Sequence, residues 1–199
     1  FWLLQFQPKL KSSRKKIKPY DLICLSGKEI NRYIVNNFYY IVPNLLGIDY
    51  KNEIFSNENL FVKRIATKPE AMIINDITFA FNTLYSIYDL NKLSKKSLLI
   101  ILNSKLISFY YELVFNLGMN LTTQITVEYL KQIPISIPKE EKEFIQKADL
   151  MLELNKKLQE LKQNFINELN LEKIPTKLQK FEELDFDDFV KEYAKAKKL

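Results

Sequence analysis

The sequence predicts an α+β fold: a twisted, mainly antiparallel sheet with a central buried helix, followed by a long spacer helix and a small C-terminal helix. Three observations predict it. Short β-branched and aromatic runs separated by turn residues fill the first half of the chain. An apolar stripe of helical spacing then runs through residues 97–111, SLLIILNSKLISFYY. A near-heptad pattern follows over residues 139–169. This divides the chain into an α+β domain (1–138), a spacer helix (139–170) and a helical tail (171–199).

In chain order, residues 1–7 form an apolar run of strand composition. Residues 9–18 carry six basic side chains with Ser12 and Ser13 among them and read as a mobile loop, either a solvated linker or a phosphate-tracking arm. Residues 22–25 are a strand, Ser26-Gly27 a turn, and 28–32 a short helical turn. A second strand at 38–42 stops at Pro43. Residues 59–66, NLFVKRIA, form a strand in which the neighbours Lys63 and Arg64 face opposite ways. Strands at 71–74 and 79–88, the latter with Asn82 and Thr83 at its middle, complete an antiparallel meander.

The central helix has Ser94 as N-cap, Gly118 as stop and a buried stripe of Leu98, Leu102, Leu106, Phe109 and Leu113. Its polar triplet Asn103-Ser104-Lys105 either covers a wet face or makes packing hydrogen bonds. Tyr110 and Tyr111 read as rim and core aromatics. Beyond it come a polar connection at 121–124, a helical turn at 127–132, and an edge strand at 133–137, where prolines cannot donate to a ladder.

The spacer helix follows Pro138, with Glu140, Glu141 and Glu143 near its start, as the helix dipole favours. Its seam runs through Phe144, Ala148, Met151, Leu154, Leu158, Leu161, Phe165 and Leu169. That is longer than one domain face needs. Its second half should therefore dock on another domain or partner, or on the last helix (185–198) through Phe186 and Phe189.

Composition excludes several chemistries. Hydrophobic residues are 47% and aromatics 13%, which describes a packed protein. Cys24 is the single cysteine and histidine is absent, so an internal disulfide, a Cys/His zinc site and a His-dependent triad cannot be built. There is no glycine-rich phosphate loop, no acid–acid–lysine set following Pro69-Glu70, and no Asn-Pro-Pro-aromatic motif. The carboxylates of Asp185, Asp187 and Asp188 fit a helix start. The chain is thus expected to be non-catalytic, with no catalytic, cofactor-binding or metal residues of its own. No apolar run reaches the length of a membrane span and no secretory pattern opens the chain, so a cytoplasmic location is expected. Starting at Phe1, it reads as a fragment of something larger.

The formal charge of +6 is unevenly spread. Residues 1–68 hold 12 Lys/Arg against 5 Asp/Glu, a net of +7, and the remainder is near neutral. Such asymmetry suits a polyanion partner, nucleic acid being the commonest, and suits an ordinary lysine-rich surface equally well.

Five short motifs then carry a resemblance. Leu25-Ser26-Gly27-Lys28-Glu29-Ile30-Asn31-Arg32-Tyr33, Phe61-Val62-Lys63-Arg64-Ile65, Phe81-Asn82-Thr83-Leu84-Tyr85, Leu102-Asn103-Ser104-Lys105 with Phe109-Tyr110-Tyr111, and Tyr129-Leu130 through Ile137-Pro138 occur in that order. Together they resemble the C-terminal target-recognition (TaqI-like specificity) domain of type IIG restriction-modification enzymes and adenine-N6 DNA methyltransferases. The exit into the long helix also resembles type I specificity subunits. The resemblance implies a DNA-reading domain that directs a methyltransferase domain outside this chain. That domain or subunit would pack on the recognition domain and long helix and would bind S-adenosylmethionine; this chain would bind no cofactor. Double-stranded DNA is the implied partner. Lys28, Arg32, Lys63, Arg64, Lys68 and Lys105 would supply cationic contacts, and Asn82, Thr83 and Gln124 groups suited to base edges. Two other readings stand beside it: a protein-interaction module docking through the long helix, and an enzyme with an unfamiliar active site.

Overall fold

The computed structural model describes residues 12–13, 22–41, 58–76, 78–87, 90, 92–115 and 123–197. The proposed strand at 1–7, most of the basic loop, and the Gly118 stop lie outside these. The chain divides into two compact units, Phe1–Leu152 and Glu153–Leu199.

The first unit is α+β. Its described strands are β1 (Ser12–Ser13), β2 (Leu22–Leu25), β3 (Ile30–Asn31), β4 (Ile34–Val35), β5 (Tyr39–Ile41), β6 (Asn59–Lys63), β7 (Ile65–Ala66), β8 (Ala71–Ile74), β9 (Thr78–Ala80), β10 (Leu84–Ile87) and β11 (Thr123–Gln124). Among the described residues they form a four-stranded sheet (β1-β5-β2-β9), a three-stranded sheet (β10-β6-β8) and two ribbons (β11-β7 and β3-β4). All pairings are antiparallel except β2 with β9, where Cys24 lies opposite Phe79.

β6 is the centre of the three-stranded sheet, covered on both faces. Leu60 and Val62 join one core with Ile73, Tyr85, Leu99, Leu102, Tyr111 and Ile125. Phe61 joins the other with Leu25, Ile30, Ile74 and Leu84. Side chains alternate across a strand, so a central strand buries consecutive residues.

Several expectations are corrected. The meander is replaced by the order β10-β6-β8, because the third strand in sequence returns to the open edge of β6. The proposed 79–88 strand is two, β9 and β10, separated by a turn at Asn82-Thr83. The proposed 59–66 strand is likewise β6 and β7, broken at Arg64. Residues 28–32 form no helical turn: the Gly27–Glu29 turn leads into the β3–β4 hairpin. Ser12–Ser13 within the basic loop pairs with β5, and Thr123–Gln124 within the polar connection pairs with β7. Residues 133–137 are not a strand and join no ladder.

The central helix is two helices, α1 (Lys95–Leu102) and α2 (Lys105–Phe115), bent by 61°. The polar triplet is the junction, and of its two readings the hydrogen-bonding one holds for Asn103 and Ser104. Asn103 is the C-cap of α1, and Ser104 Oγ accepts from the Ile107 N–H at 3.1 Å, capping α2. The bend resets the helical phase. Leu98 and Leu102 are buried as expected, but α2 buries Ile107, Ser108 and Tyr111 and leaves Leu106, Phe109 and Leu113 exposed. At the other end, Ser94 caps α1 as predicted.

α3 (Val127–Gln132) is capped by Thr126. α4 (Lys142–Glu168) starts just after Pro138, and Ala148, Met151 and Leu152 of its first half pack on the larger core. Glu141, immediately ahead of it, accepts from the Ser94 N–H at 2.9 Å and from Ser97 Oγ at 3.0 Å, reinforcing the start of α1.

The second unit holds the end of α4, a 3-10 helix (Leu178–Glu183) and α5 (Phe186–Lys197). Phe165 of α4 packs on Phe181 (4.4 Å between centroids) and Phe189 (5.8 Å). The seam therefore docks on the last helix through Phe189, whereas Phe186 is exposed. Asp185 caps α5 by accepting from the Asp188 N–H at 2.8 Å. No single described helix is long and apolar enough to cross a membrane.

Candidate nucleic-acid interface

The residues proposed to meet DNA fall into two groups in the first unit. The first gathers at the break between β6 and β7. Arg64 interrupts the strand there, its N–H donating to Thr83 O at 3.0 Å and its carbonyl accepting from the Ile125 N–H at 2.7 Å. Its guanidinium donates from Nη1 to Asn82 O at 3.1 Å. The Gln124 amide, with its oxygen turned to the guanidinium, accepts from Arg64 Nη2 at 2.5 Å and Nε at 3.0 Å. The guanidinium also lies 6.0 Å from the Tyr85 ring centroid. Arg64 thus ties the Phe81–Thr83 turn to β11.

The Ser26–Lys28 turn joins the same place. Gly27 N–H donates to Thr83 Oγ1 at 2.9 Å, and a Cβ at Gly27 would sit 3.1 Å from Thr83 O. A side chain there would press on the Thr83 carbonyl, and the Thr83 hydroxyl serves as a tether. Lys28, next along, is exposed. Glu29 is buried and accepts from the Ser26 N–H at 3.0 Å and from the Ser26 hydroxyl, closing the turn.

The second group surrounds the β3–β4 hairpin. Its two-residue turn places Tyr33 at φ 61°, a left-handed conformation rare for an aromatic residue. Packing holds it there: Tyr33 is buried and its N–H donates to Ala71 O at 3.2 Å. Burial pushes its hydroxyl pKa up, against the lowering influence of the Asn103 side chain and Arg32. Arg32, at the tip, donates from Nη2 to Ser108 Oγ at 2.5 Å and Pro69 O at 3.3 Å. Its Nε is buried with no acceptor among the described residues.

Lys63 points to this side, as the strand geometry requires. Its Nζ bonds Glu70 Oε2 at 2.6 Å and Asn31 Oδ1 at 2.8 Å. Its side chain is only 14% exposed, so its charge is spent inside the domain. Lys68 is half-buried beside Pro69, and Lys105 is exposed at the start of α2.

Arg64, Asn82, Thr83, Gln124 and the Lys28 turn are therefore one constellation, and Lys63 with Arg32 belong to another. Sequence reasoning missed Glu70 and Asn31, which neutralise and hold Lys63, and Ser108, which holds Arg32. The antiparallel pairing of Val62 with Ala71 brings Lys63 beside Glu70, and the turn at 67–69 was the signal available in the sequence. Tyr33 and Tyr85, read from the sequence as packing residues, are both buried, and the Tyr85 hydroxyl donates to Ile125 O at 2.9 Å and is pushed to a higher pKa by burial, with the Arg64 charge opposing.

Among the described residues no group of acidic, cysteine or histidine side chains could hold a metal ion. What the constellation presents is hydrogen-bond donors and acceptors set on short turns over a packed sheet. The model of the TaqI-like C-terminal specificity domain family matches residues 22–135. The chain belongs to that family, and so carries a DNA specificity domain of the kind found in restriction-modification enzymes. A second family model, described as a domain of unknown function (DUF8810), matches residues 137–199. No curated protein matches the chain.

Proposed function

We propose that this chain reads duplex DNA sequence for a restriction-modification enzyme or adenine-N6 DNA methyltransferase whose catalytic domain lies outside these residues. The observation that carries the reading is the convergence of Arg64, Asn82, Thr83 and Gln124, from three separated segments, in a chain of the specificity-domain family. Lys28, Lys68 and Lys105 are the cations suited to phosphates, with Arg32 at the hairpin tip. In the cytoplasm, S-adenosylmethionine would be bound by the catalytic domain, and this chain would not transfer a methyl group. Electrophoretic mobility shift across a salt series tests this. Binding should weaken with a log–log slope of about −0.9 per phosphate neutralised. Absence of any shift at about 50 mM salt would overturn the reading.

A second reading rests on α4, where Leu154, Leu158 and Leu161 recur at helical spacing and are 48–67% exposed. Under it the chain is an interaction module, and Leu158→Asp with Leu161→Asp abolishes assembly with a partner subunit without touching DNA affinity.

A further inference from the structure

Resting on the DNA-recognition reading, we infer that Gln124 reads a base edge as a hydrogen-bond donor only. A glutamine amide carries both a donor and an acceptor, and its usual specific contact uses both, pairing with adenine N6 and N7. Here the acceptor is already taken. The Arg64 guanidinium has donors and no acceptor, and two of its nitrogens lie 2.5 and 3.0 Å from the Gln124 oxygen position. With the amide turned the other way, donors would face donors.

Arg64 cannot readily swing aside to free that oxygen. Nη1 is engaged by Asn82 O, its backbone is bonded on both sides to Thr83 and Ile125, and the Tyr85 ring lies alongside. The Gln124 backbone is fixed by pairing with Ile65 in the β11-β7 ribbon. Gln124 is exposed, which leaves its amide within reach of a base edge.

A fixed NH2 group selects an acceptor on the facing base edge. In the major groove that admits guanine O6 or N7, thymine O4 and adenine N7, and rejects cytosine, which presents N4–H2. In the minor groove it rejects guanine N2–H2 in the same way. Arg64 is then a positioning residue: it sets what Gln124 shows to DNA.

The test is selection from a randomised duplex library by the 199-residue chain and its variants. Gln124→Glu keeps an oxygen on Arg64 and offers a second oxygen outward. One base position should switch to a donor-bearing base, cytosine or adenine in the major groove and guanine in the minor groove, by roughly fivefold or more. Gln124→Ala should flatten that same position. Arg64→Lys, which cannot hold the amide with two donors, should free its oxygen and shift that position toward adenine, which the amide then pairs at both N6 and N7. Binding by Gln124→Glu with preferences identical to the wild type at every position would overturn the inference while leaving DNA recognition intact. Failure of the wild-type chain to bind any duplex would instead overturn the reading beneath it.

Discussion

Asn103 grips Ala71 with both ends of its amide: Oδ1 accepts from the Ala71 N–H at 2.8 Å and Nδ2 donates to the Ala71 carbonyl at 2.9 Å. The pair is buried. It fastens the α1–α2 junction to β8 at the residue whose carbonyl also receives the Tyr33 N–H. Asn103→Ala would strip the Ala71 N–H of this acceptor and leave the Ala71 carbonyl with the Tyr33 N–H. A loss of about 2–4 kcal/mol is expected, measurable by urea denaturation, and an unchanged midpoint would contradict it.

Lys63 and Arg64 should separate in their effects. Lys63 is held by Glu70 and Asn31, so Lys63→Ala should cost stability, about 2 kcal/mol, and change DNA affinity little. Arg64→Ala should weaken DNA binding and disturb the preferred sequence. Parallel melting and binding titrations check this; equal losses of affinity would show that the Lys63 ion pair opens to meet DNA.

Phe165 and Leu161, one turn apart on α4, should also differ. Phe165 is in the aromatic cluster with Phe181 and Phe189, whereas Leu161 is 67% exposed. Phe165→Ala should destabilise by about 2 kcal/mol, less than a fully buried phenylalanine. Leu161→Ala should stay within about 0.5 kcal/mol. Differential scanning calorimetry distinguishes them.

Acid should loosen the start of α1 through Glu141. Its hydrogen bonds, first from Ser94 and then from Ser97, hold its carboxyl below the usual carboxylate range. A lowered folded pKa contributes stability above the unfolded pKa, and that contribution disappears as pH falls through the lowered value. Glu141→Gln should therefore flatten the acid side of the stability–pH curve and leave the neutral side parallel to wild type. A melting series from pH 7 down to about pH 3 reads this out.

The sequence by itself determined the α+β class, the strand at β2, the cap at Ser94, the long α4 and the final helix, because each is written in local periodicity or capping chemistry. Lys63 and Arg64 do part, but at a break in the strand: Lys63 bonds Glu70 and Asn31, and Arg64 bonds Asn82 and Gln124. What the sequence could not determine was which polar residues interrupt an element. Asn103-Ser104, Arg64 and Asn82-Thr83 each sit inside an apolar run that reads as continuous, and each breaks it because a distant group rewards the break: Ala71 for Asn103, Thr83 and Ile125 for Arg64, Gly27 for Thr83. The exposure of Leu106, Phe109 and Leu113 follows from one of those breaks. Only the tertiary structure decided that Lys63 is spent on Glu70 while Arg64 commits the oxygen of Gln124. Those pairings depend on strand order and register, which hydrogen bonds between segments far apart in the chain select and local pattern does not encode.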